Sequence, residues 1–164
     1  MSQRLTYVGR KRLLVVAFAL VSIFGFSGIA NANDEIRFVA RASGQIVSQE
    51  PCGPELTHVC QTVLIAGHAT KLGAFTAVVF EDVDLATGTY TGTAVFTLKK
   101  GTVTTEYVGV VSPPDAEGNV VFTENHDIVG GTGSFEGATG KLFTLGTASA
   151  TGEISIIAAG VLNK

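Results

Sequence analysis

The chain has 164 residues, 46% of them hydrophobic and 15% charged, with 20 Gly and no Trp. That balance excludes a disordered chain, and the length points to one domain that can bury a core without metal or a dense disulfide framework. A formal charge of −3, with no clustered Lys and Arg in the folded part, excludes a nucleic-acid partner.

Residues 1–32 have the three parts of a secretory signal peptide. Arg4, Arg10, Lys11 and Arg12 form the basic part, a predominantly apolar run of 14 residues extends from Leu13 to Phe26, and Ala30-Asn31-Ala32 supplies the small-residue cleavage site. The run is too short for a hydrocarbon core of about 30 Å, which needs ~20 residues, so no stable membrane insertion is expected after cleavage. Export to the periplasm or the extracellular space follows. Residues 33–164 would be the mature domain. Removing the four basic residues of the leader from 11 leaves 7 Lys and Arg against all 14 Asp and Glu, a formal charge of −7.

Cys52 and Cys60 bracket Gly-Pro-Glu-Leu-Thr-His-Val. In an exported chain this pair is expected to form one structural disulfide. A redox site would favour two intervening residues, and a metal site using both Cys with His58 lacks a fourth ligand.

Strand signals dominate the rest of the chain. Thr and Gly recur every few residues, and both disfavour helix. Strands are expected over about 36–42, continuing towards 48, then 62–72, 74–83, 89–98, 102–112, 120–129, 141–150 and 153–162. In the fourth, Tyr90, Gly92, Ala94, Phe96 and Leu98 alternate with a Thr-rich face, and in the fifth Val103, Thr105, Tyr107, Gly109 and Val111 form one side. Glu81, Asp82 and Asp84 read as a solvated acidic strand end, with weak calcium binding as the alternative. Eight short strands in meander order, with no crossover helix, predict an all-β fold, a single antiparallel eight-stranded β-barrel. An outer-membrane barrel is disfavoured by the lack of aromatic girdles.

The segment Gly130-Gly131-Thr132-Gly133-Ser134-Phe135-Glu136-Gly137-Ala138-Thr139-Gly140 fails both phosphate-binding patterns. Glu136 stands where a dinucleotide fingerprint needs its third glycine, and Lys141 precedes Leu142, not the Ser or Thr of a P-loop. A tight connection is expected instead, made by Gly130, Gly131, Gly133, Gly137 and Gly140, with Phe135 plugging one end of the interior. No motif calls for a cofactor.

This run resembles the G-G-T-G-x-F-x-G-A-x-G signature of secreted bacterial β-barrel proteins of the allene oxide cyclase-like and dirigent-like family. Residues Gly67 to Thr76 and Gly152 to Leu162 resemble that family's second and last strand regions. The resemblance implies the barrel architecture and a homo-oligomer, a dimer or trimer.

Few residues carry chemistry. Phe122, Glu124, His126 and Ile128 share one strand face, so Glu124 and His126 are neighbours and candidates for an acid/base pair if that face points inward; the favoured alternative is that they lie near the strand's end or outward in solvent, or form a buried hydrogen-bonded pair. His68 shares a face with Leu64, Ala66 and Leu72 and is read as half-buried, and a metal site of His68, Glu124 and His126 rests on residue type alone. Tyr90, Phe96, Tyr107 and Phe122, with His68, are the candidates for lining a ligand cavity; for the four aromatics plain core is the alternative, and the slightly favoured one. The expected function is binding of a small apolar ligand in or near the barrel. The alternatives are an isomerase or cyclase-type enzyme and a non-catalytic structural or surface protein. A void of about 300 Å³ or more would mark a ligand-binding interior.

Overall fold

A computed structural model describes residues 34–53 and 57–164. The expected signal peptide lies outside the described residues. Eight antiparallel strands follow one another around a closed barrel: β1 (Glu35–Cys52), β2 (His58–Ala69), β3 (Gly73–Asp84), β4 (Thr89–Leu98), β5 (Gly101–Val111), β6 (Val120–Gly131), β7 (Thr139–Ala148) and β8 (Glu153–Asn163). Each strand pairs with its sequence neighbours, and β1 closes on β8 from Glu35 opposite Asn163 to Gln45 opposite Glu153. Closure leaves no free edge along that span.

Beyond Gln45, β1 pairs with β2 alone, so this hairpin end extends past the closed wall. The sequence reading stops β1 at Ser48 and starts β2 at Thr62, because the intervening residues are polar and include Pro51. Pro51 is tolerated there because one side of β1 has no partner to receive an N–H. The disulfide Cys52–Cys60 spans the two strands, with Cα atoms 5.7 Å apart.

The interior is layered. At the closed end Phe135, in a 3-10 turn (Gly133–Phe135), packs with Val103, Ile128, Ala138 and Leu162. This is the plug position expected from the glycine-rich segment. Gly133 and Gly137 take φ of +61° and +70°, a region open to glycine at little cost. Thr132 and Ser134 donate their N–H groups to the carbonyls of Thr102 and Lys100, tying the plug to the start of β5. The middle layer holds Ala40, Ala69, Phe75, Leu142 and Ala158. Towards the open end lie Val63, Val79, Tyr90, Ala94, Tyr107 and Phe122.

Five inward aromatic rings each lie directly across from a glycine on the neighbouring strand: Phe38 on Gly160, Phe75 on Gly67, Tyr90 on Gly109, Tyr107 on Gly92 and Phe122 on Gly146. A Cβ on any of these glycines would strike the facing ring or its hydroxyl. The rings therefore lie along the wall. These mid-strand glycines are seats for aromatic side chains, whereas the sequence reading assigns glycine to turns and closure.

Candidate functional site

The buried polar side chains Thr105, Glu124, His126 and Thr144 all lie inside the barrel. Strand β6 places Glu124 and His126 inward because they alternate with exposed Asn125 and Asp127. Glu124 Oε2 and His126 Nε2 are 3.0 Å apart, and Tyr90 donates its hydroxyl to Glu124 Oε1 at 3.1 Å. The hydroxyls of Thr105 and Thr144 reach the two imidazole nitrogens at 3.0 and 3.2 Å. No buried side-chain N or O among the described residues lacks a partner. The pair is thus inward, buried and hydrogen-bonded, a geometry common to the acid/base and the structural readings.

A second carboxylate joins them. Glu81 shares the inward face of β3 with Ala77 and Val79, while Asp82 points out. Tyr107 donates its hydroxyl to Glu81 Oε1 at 2.6 Å, and Gln61 donates its amide to Oε2. Burial pushes the Glu81 carboxyl above its ordinary value; the bonds from Tyr107 and Gln61 oppose this, the charge of Glu124 adds to it and that of His126 opposes it. Burial, then the nearby carboxylates, raises the phenols of Tyr90 and Tyr107 far above their ordinary range, so both are hydroxyl donors at neutral pH. The Tyr90 and Tyr107 rings meet edge-on with centroids 6.1 Å apart, and the Tyr107 ring lies 4.3 Å from the imidazole of His126.

The acidic strand end of the sequence reading is therefore divided by the pleat. Glu81 is internal, Asp82 meets Nδ1 of His58 at 2.7 Å outside, and Asp84 accepts from Ala86 N–H and the Thr87 hydroxyl in the β3–β4 turn. Glu81 is cut off from the other two by the barrel wall, and Asp82 and Asp84, which share the outer face, are engaged by His58 and by the turn, so the three do not form a calcium cradle. No sequence motif marks Glu81 or Gln61 as internal; the signal that places Glu81 inside is its two-residue spacing from Val79 and Ala77.

His68 is displaced from its expected place. It lies exposed on the outer wall with Leu64 and Ala66, while Val63, Ile65 and Ala69 turn inward. The barrel wall separates it from Glu124 and His126, so the three cannot share a metal, and His68 lines neither interior space. Cys52, Cys60 and Asp82 converge, but the two sulfurs are joined to each other and offer no thiolate.

Two spaces flank the polar cluster. On the plugged side is an apolar cavity of about 80 Å³, lined by Phe75, Phe96 and Leu142 and bordered by Tyr107, Glu124 and His126. That is well below the ~300 Å³ of ordinary ligand sites. On the other side the barrel mouth opens into about 860 Å³, walled by Ile46, Val83, Val111, Phe122 and Ile154, with Gln61, Glu81 and Tyr90 at its floor. Of the four aromatic candidates, Tyr90 and Phe122 line the mouth and Phe96 and Tyr107 the inner cavity. Comparison of the chain with protein-family models, with curated proteins and with solved structures gives no match.

Proposed function

We propose that the protein is an exported barrel that binds a small, largely apolar molecule at its open mouth. The observation that carries this reading is the mouth itself: an aliphatic and aromatic wall converging on a floor where Gln61 donates to Glu81 and Tyr90 donates to Glu124. A few polar groups set at the base of an apolar concavity are the usual make-up of a small-molecule site. The inner cavity is too small for such a body, so the ligand rests above the tyrosines. The disulfide and the leader-like residues 1–32 support export. The resemblance to allene oxide cyclase-like and dirigent-like barrels supports the same reading. It also carries the proposal of a dimer or trimer. Exposed Val39, Phe143, Leu145 and Ile157, contiguous over β7, β8 and β1, are the surface a second copy would cover, and light scattering at a monomer mass overturns that part.

Mass spectrometry of small molecules retained through purification tests the binding reading. Retention of one compound by the native protein, and its loss from Val111→Trp, which fills the mouth, is the expected result. Equal retention by both proteins, or by neither, overturns it. An isomerase or cyclase reading is favoured by one observation, the raised carboxyl of Glu81 beside the Glu124 and His126 pair. It requires that the retained compound be converted, and that Glu124→Gln abolish conversion while affinity is kept.

A further inference from the structure

The charge around the mouth is of one sign. Among its described lining residues there is no Lys, Arg or His, and the charged side chains are Glu81 at the floor and Asp84 at the rim. Asp84 is held below the ordinary carboxylate range by the Thr87 hydroxyl and the Ala86 N–H, and so stays ionised. Glu81 accepts one hydrogen bond on each oxygen, from Tyr107 and Gln61. An ionised carboxylate offers about four acceptor positions, so the floor can still receive a donor from the mouth. The rings of Tyr90 and Phe122 lie in the same wall.

A carboxylate ligand entering this space meets two carboxylates and no lining cation; the imidazoles nearest them, His126 by Glu81 and His58 by Asp84, lie outside the lining and are paired with Glu124 and Asp82. Its own desolvation adds to that cost. An organic cation meets the opposite situation: an acceptor at the floor, aromatic rings that attract positive charge, and an apolar wall for the rest of the molecule. The acidic mature chain, at −7, attracts the same class from a distance. Resting on the reading of the mouth as the binding site, we propose that its ligand is a small organic cation, an ammonium group on an apolar body, seated on the Glu81 floor.

Two consequences separate this from plain apolar binding. Burial disfavours the ionised form of Glu81, and a bound cation favours it, so binding releases a proton where free Glu81 is partly protonated. Removing the carboxylate charge must also weaken the ammonium ligand and spare a neutral one of the same shape.

Titration calorimetry with three matched probes tests both: 2-phenylethylammonium, 2-phenylethanol and 3-phenylpropanoate, with backbone amide shifts locating each. The ammonium is expected to bind at the mouth at least about tenfold more tightly than the alcohol, and the carboxylate weakest. Glu81→Gln is expected to lose about 10- to 100-fold for the ammonium, the range of a charge-assisted hydrogen bond, with the alcohol unchanged. In the unaltered protein, repeating the ammonium titration in buffers of different ionisation enthalpy is expected to show net proton release, a readout that does not depend on the variant folding. If the alcohol or the carboxylate binds at the mouth as well as the ammonium does, the cation assignment falls and the mouth remains a binding site. If none of the three shifts mouth resonances, the binding reading falls, and the cation assignment with it.

Discussion

Burial raises the carboxyl of Glu81 above the ordinary glutamate value of 4.5, and the donors Tyr107 and Gln61 offset only part of that rise. Gln61, Tyr90, Tyr107, Glu124 and His126 are the polar groups around it, drawn from β2, β4, β5 and β6. The unfolded chain gives up this proton near 4.5 while the folded chain keeps it to higher pH. Between those two points the folded state binds more protons, so stability falls as pH rises through the window and levels off above the folded value. Glu81→Gln keeps an acceptor for Tyr107 and removes the titration. Urea unfolding at pH 5 and pH 8 is expected to show a smaller loss of stability on going to pH 8 in the variant than in the parent; an identical loss in both rules out Glu81 as the source. The same substitution is expected to weaken ammonium binding.

At the scale of the strand, the pairing of an inward ring with a facing glycine decides where the tyrosines point. Gly109 lies opposite Tyr90, and a Cβ there would enter the ring. In an open strand Gly→Ala is favourable by roughly 0.5–1 kcal/mol. Here the ring must move, at an overpacking cost of about 1–3 kcal/mol, and its bond to Glu124 is lost with it. Gly109→Ala is therefore expected to be destabilising in thermal melts, and to become neutral or stabilising once Tyr90→Ala has removed the ring. Additive effects of the two changes would show that the glycine is not a seat. These pairs connect residues 8 to 122 positions apart, and single-chain periodicity cannot show which residue faces which. Alternation does show the inward series of β4, β5 and β6, and with it Glu124 and His126, because their other faces are plainly polar or Thr-rich. It misleads in β2, where Leu64 and Ala66 outside are as apolar as Val63 and Ile65 inside, and His68 lands on the wrong side. Glu81 is obscured for a different reason: three acids close together look like solvated surface until they are separated by parity.

The barrel as a whole was readable because every pairing but one joins strands adjacent in sequence, so turn signals and strand lengths nearly define it. The mouth was not, since its volume depends on how far the β1–β2 end and the turns rise above the closed wall. The disulfide lies in that projecting end. Cys52 and Cys60 are both beyond the β1–β8 seam, which ends at Gln45 opposite Glu153. The bond closes a loop of about nine residues, and constraining so short a loop in the unfolded chain contributes ~2.6 kcal/mol. It makes no contribution to the long-range closure, which rests on the backbone ladder and on Ala40, Ala158 and Leu162 packed inside it. Replacing both cysteines by serine is thus expected to lower the unfolding free energy by about 2–3 kcal/mol while amide exchange at Ala40 and Ala42 stays protected under native conditions. Loss of that protection together with the disulfide would mean that the β1–β2 end holds the seam shut. If protection is kept, the seam is independent of redox state, and reduction acts on the projecting β1–β2 end alone.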